Sequence, residues 1–234
     1  MNDDITRRRV LAFAGGTVIA GLAGCLDDSD TQPAGETDPE DNGRASEIGD
    51  DHDHDHYHEL GHPEAHIEVS MESDNDTHHF VPHVVHIEES GTVTWVLGNG
   101  VHDTVAYHPA NDYLLPSTTK QRIPEDAEPW ASDLYRTEGE AFERTFERPG
   151  VYDYVCTVVE HGHGPDRGRG PHGHHRTHEA TGMVGRVIVG WPELDPDSQP
   201  ALGEPHHGLP DNARHELDDF NNRTREALGH RENH

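Results

Sequence analysis

Apolar side chains in this chain occur in short β-branched runs, and nearly all of those runs lie between residues 66 and 190. His66–Met71 alternates at period two. Phe80-Val81 and Val84–Ile87 follow, then a Glu89-Ser90-Gly91 turn and the run Thr92–Leu97. Thr104–Tyr107, Ala141–Phe146, Val151–Cys156 and Met183–Val189 complete the set. Regularly spaced short strands separated by turn signals predict an antiparallel sandwich or barrel. Residues 108–140 read as a loop, because Pro109, Pro116, Pro124 and Pro129 break any long element. With 31% hydrophobic and 27% charged residues, 234 residues cannot share one core. The expectation is one domain of roughly 120–130 residues, over 67–190, with polar extensions.

The extensions differ in kind. Residues 1–25 read as a targeting segment: a twin-arginine start, Thr6-Arg7-Arg8-Arg9-Val10-Leu11, precedes an apolar run ending at Gly24. At about 15 residues that run is shorter than the roughly 20 a membrane-spanning helix needs. Leu22-Ala23-Gly24-Cys25 resembles a lipobox, which implies lipidation of Cys25 and a protein held on the outer face of the cell membrane. Residues 26–66 are acidic and poor in large apolar groups, and they predict a disordered tether carrying His52, His54, His56 and His58. Residues 191–234 form a polar tail. Within it Ala213, Leu217, Phe220, Thr224 and Leu228 predict a helix over 211–228, with a stripe narrow enough that only weak docking is expected.

Charge and histidine content narrow the function. The formal net charge is −29, which excludes nucleic acid as a partner, since phosphate binding needs clustered Lys and Arg. Lys120 is the one lysine, and an acidic chain nearly devoid of lysine resembles secreted proteins of salt-loving archaea. There are 23 histidines, and histidine is the commonest metal ligand, so metal binding is the first chemistry to consider. A copper electron carrier uses one thiolate, two imidazoles and a weak axial thioether. Beyond the targeting segment the chain has one cysteine, Cys156, and two methionines, Met71 and Met183.

Three segments carry a family resemblance. Gly91–Val96 followed by Asn99-Gly100-Val101-His102-Asp103-Thr104-Val105 resembles the strand, loop and first copper imidazole of plastocyanins and halocyanins. Pro149–Thr157 resembles the strand that delivers the thiolate, and His178–Gly185 the segment bearing the second imidazole and the axial sulfur. The order of the pieces is that of the family. The resemblance implies an all-β, cupredoxin-like Greek-key β-sandwich binding one type 1 copper through His102, Cys156, His178 and Met183. It also implies a second imidazole whose edge lies at the surface, in an apolar patch, as an electron port.

One departure stands out. The second histidine of the family follows the cysteine within a few residues, but Val159 holds that place here, and residues 158–177 form a His-, Gly- and Arg-rich insertion. His161 follows Cys156 at the spacing of azurin-like relatives and is an alternative ligand; the spacing to Met183 favours His178. Closing the longer loop costs about 2 kcal/mol more entropy, against on the order of 10 kcal/mol from a bound structural metal. His161, His163, His172, His174 and His175, with Arg167, Arg169 and Arg176, crowd the expected neighbourhood of the site; they read as a solvated flexible loop, as arginines that dock a partner, or as histidines that capture a second metal. The reading that follows is a monomeric electron carrier between a redox donor and acceptor in the membrane. Copper storage or delivery by the histidine tracts is the alternative. A redox enzyme is not expected, because Val155 and Thr157, rather than histidines, flank Cys156.

Overall fold

The computed structural model describes residues 59–75, 77–117, 120–161 and 175–229. The targeting segment with Cys25, the tether histidines 52–58 and the insertion residues 162–174 lie outside the described residues. The strands run in chain order as β1 (Glu64–Asp74), β2 (Thr77–Val81), β3 (Val84–Leu97), β4 (Val105–Ala106), β5 (Ala141–Phe146), β6 (Gly150–Val155), β7 (Val159–His161), β8 (His175–Thr177) and β9 (Val184–Val189). The first strand already starts at Glu64, inside the stretch read as tether.

The long strand β3 joins two layers. Val84–Ile87 pairs in parallel with β9, whereas Gly91–Val96 pairs antiparallel with β5 and Thr92–Leu97 runs parallel to β1. Between these halves the chain bends: Ser90 has φ 63°, and a Cβ on Gly91 would sit 2.7 Å from the Glu88 carbonyl oxygen. Such a bend lets one strand serve both layers of a sandwich. β2 extends the first layer through β1, and β6 and β4 extend the second through β9. The architecture is the expected all-β Greek-key sandwich, but not the purely antiparallel one: β1–β3 and β3–β9 are parallel, because β3 crosses from one layer to the other.

Side chains of β6 alternate between two cores. Tyr152 and Tyr154, with Cys156 just past the strand, enter the main core with Met71, Phe80, Trp95 and Met183. Val155 instead meets Ile188, Leu217 and Phe220 on the outer face, where α1 (Asp211–Gly229) packs. β6 and β9 are thus covered on both faces, which explains why their sequences are apolar on both, Asp153 and Arg186 excepted.

The tail does more than the narrow stripe suggested. Asp153 and Arg186 point outward from β6 and β9 into the seam under the helix, both fully buried. Asp153 accepts from Arg186 Nε at 2.7 Å and from Arg122 Nε at 2.8 Å. Arg186 also donates to Thr224 Oγ1 at 3.0 Å and to Asn221 Oδ1 at 2.9 Å, both on α1. The expectation of weak docking is corrected for this reason: the helix seals a buried ion cluster as well as an apolar stripe. The ends of the insertion are also ordered, as β7 and β8 pair with Val159 opposite Thr177.

Candidate metal centre

His102 stands after the turn that leaves β3, held by a bridge in which Tyr135 N donates to the His102 carbonyl at 2.9 Å. The turn needs Gly100: its φ is +78°, and a Cβ there would lie 2.5 Å from Ser73 Oγ and 3.0 Å from His102 Nε2. Cys156 follows β6, and its N donates to the Met183 carbonyl at 3.2 Å. Asp103 clamps the next residue, accepting from Thr157 N at 2.6 Å and from the Thr157 hydroxyl. His178 follows β8, its N donating to the Val158 carbonyl at 2.9 Å. A 3₁₀ turn over Glu179–Thr181, ended by Gly182 at φ 95°, returns the chain so that Met183 N donates to the His178 carbonyl at 3.0 Å. Buried Glu179 fixes that turn by accepting from the hydroxyls of Tyr107 and Ser117.

Three donor atoms converge. Cys156 Sγ lies 3.3 Å from His178 Nδ1 and 3.6 Å from His102 Nδ1, and the two Nδ1 atoms are 3.2 Å apart. Two metal bonds of about 2.0–2.3 Å in a trigonal plane separate their donors by about 3.5–3.7 Å. The trio can therefore hold one ion after shifts of a few tenths of an ångström. Met183 is fully buried in the core cluster that contains Cys156. The backbone of His161, the alternative ligand, pairs with that of His175 across β7 and β8.

The surroundings favour neutral donors. Burial, with the neighbouring His78 second, lowers His102 to about 4. Burial, then His78, His102 and Arg176, lowers His178 to about 3. Burial pushes the Cys156 thiol well up, and the charge of Asp103 adds to it.

Residues not singled out in the sequence complete the site. His78 on β2 stacks on His178 with ring centroids 3.6 Å apart and planes at 10°. Ser73 Oγ lies 2.8 Å from His78 Nδ1 and 3.0 Å from His102 Nε2. Glu160 on β7 places Oε1 3.6 Å from Nε2 of both His78 and His178. A signal for His78 was available: it alternates with Phe80 on the buried side of β2. This cover also corrects the expected exposed imidazole edge, because His178 is only 2% exposed.

A family model for copper-binding proteins, plastocyanin/azurin family, matches residues 67–164. A halocyanin from Natronomonas pharaonis is 30% identical over 202 residues, covering 80% of this chain and 98% of the relative. The chain belongs to the plastocyanin/azurin family of copper-binding proteins. Among solved structures, a pseudoazurin from Methylobacterium extorquens is similar at 18% identity, covering 68% of this chain and 98% of that one, with a TM-score of 0.42. A pseudoazurin from Hyphomicrobium denitrificans is 20% identical over 68% of this chain and 97% of that one, also at 0.42. As a member of this blue-copper family the chain takes copper as cofactor, and its chemistry is copper-based electron transfer.

Proposed function

We propose that this chain is a membrane-anchored blue copper protein that carries single electrons between redox partners on the outer face of the membrane, with His102, Cys156, His178 and Met183 as the metal's ligands. The observation that carries the reading is the approach of the Cys156 sulfur and two imidazole Nδ1 atoms to within 3.2–3.6 Å of one another. Copper bound there supplies a one-electron couple. The protein's part is to fix the donors and exclude water: the Asp103 clamp on Thr157, the Glu179 anchor and the Tyr135 bridge each hold a ligand-bearing backbone in place. Electron transfer needs no substrate to be transformed, and we read the chain as a carrier without enzymatic activity.

Anchoring follows from the lipobox-like Leu22–Cys25, and its test is release of the protein from the membrane fraction in Cys25→Ala. Partner docking is supported by a cavity of about 970 Å³ that His78 and His178 line together with Leu114, Leu134 and Val159, three exposed apolar side chains. The helix covers the outer face of β6 and β9, which supports a monomer. The decisive experiment is the visible spectrum of the Cu(II) protein. An intense thiolate-to-copper band, lost in Cys156→Ser and strongly altered in His178→Ala, is the expected result. Colourless copper held with Cys156 uninvolved would instead favour storage by the histidine tracts.

A further inference from the structure

The outer edges of the two ligand imidazoles lead to one carboxylate. His102 and His178 present Nδ1 to the shared donor cluster, so in each ring Nε2 carries the proton. The Nε2–H of His102 then donates to Ser73 Oγ, 3.0 Å away. The Ser73 hydroxyl, its oxygen accepting, donates onward to His78 Nδ1 at 2.8 Å. That bond places the His78 proton on Nε2, which faces Glu160 Oε1 at 3.6 Å. His178 Nε2 is buried with no hydrogen-bond partner among the described residues, and the same Glu160 oxygen stands 3.6 Å from it. A separation of 3.6 Å is an ion-pair distance rather than a hydrogen bond. Glu160 is 47% exposed on its hairpin, so its side chain is free to close the remaining few tenths of an ångström.

We propose that Glu160, delivered by the β7–β8 hairpin, is a positioning residue that sets the reduction potential of the centre: it receives His178 directly and His102 through Ser73 and His78. The inference rests on the ligand assignment above and deepens it. The physical reason is general. A carboxylate that accepts from the far nitrogen of a metal-bound imidazole fixes the ring and raises its basicity, and a nearby negative charge favours the more highly charged metal state. Both effects favour Cu(II) over Cu(I). Strand β7 thus carries to the metal's imidazoles, from outside, a charge that the ligand set itself lacks.

The test uses the full copper-loaded chain and reads the visible band and the reduction potential together. Glu160→Gln, which removes the charge at nearly constant shape, is expected to keep the band and raise the potential. A tenfold shift of the Cu(II)/Cu(I) equilibrium towards Cu(I), about 59 mV for a one-electron couple, is the expected size. His78→Phe keeps a ring on the stack and cuts only the branch to His102, so a smaller rise is expected. Glu147→Gln, beyond the end of β5 that pairs with Gly91, is expected to leave the potential unchanged. In the diamagnetic Cu(I) form, nitrogen-15 spectra of the wild type should show a slowly exchanging proton on His178 Nε2 that exchanges faster in Glu160→Gln. An intact band with an unmoved potential in Glu160→Gln overturns this inference alone. A wild type without the band takes the ligand assignment down as well.

Discussion

The site's residues are set for metal rather than for protons. Around neutrality the imidazoles of His102 and His178, lowered to about 4 and about 3, are unprotonated, while burial favours the protonated Cys156 thiol. Copper binding should then release one proton. The apparent affinity, measured by chelator competition, should rise about tenfold per pH unit between about pH 6 and 8. A threefold steeper dependence would mean that the rings are charged in the apo site. The same shifts bear on stability. Unfolded histidines protonate near 6.5 but the folded rings only near 4 and 3, so the unfolded chain binds more protons across that interval. Apo stability should therefore fall as pH drops from about 6.5 towards 4. Asp103 and Glu179, whose carboxyls burial raises, oppose the trend. The slope of melting temperature with pH, compared between apo wild type and apo His178→Gln, isolates the ring, and the variant should be flatter.

Among the elements, α1 and the β6–β9 pair depend on each other. Asp153 is the shared acceptor for Arg122 and Arg186, so Asp153→Ala leaves two guanidinium groups buried without their counter-ion. Removing one partner of a buried charge cluster costs about 3–5 kcal/mol. Leu217→Ala opens the apolar half of the same seam and should cost about 2–5 kcal/mol. Urea unfolding of the apo protein checks both: the midpoint should fall, and far-ultraviolet ellipticity and tryptophan fluorescence should still change together. A separate early loss of helix signal would show that the tail is an independent unit.

Across the molecule as a whole, the excess of acidic residues over basic ones governs the response to salt. A formal net charge of −29 repels itself, and the screening length falls from about 10 Å at 0.1 M salt to about 3 Å at 1 M. Origin in a salt-loving organism is our reading of that charge and of the single lysine. It leads to a melting temperature that climbs between 0.1 and about 3 M salt. A melting temperature indifferent to salt would count against it.

The strands could be read from the sequence because their information is local: β-branched residues at period two and turn residues between them. The linear motifs could single out His102, Cys156, His178 and Met183 for a related reason, since each sits a few residues from a strand end, and the structure brings the first three of them together. What surrounds them was not. Ser73 and His78 meet because β1 and β2 pair in a register that sets them opposite each other. Glu160 reaches the rings only through a hairpin whose strands are separated by a long insertion. Asp153 and Arg186 interrupt strands that otherwise read as core, and their reason appears only once a helix from the far end of the chain lies over them. The chain's own order thus determined its strands and its motif residues. Register and long-range packing, which no spacing along the chain encodes, decided which groups enclose them.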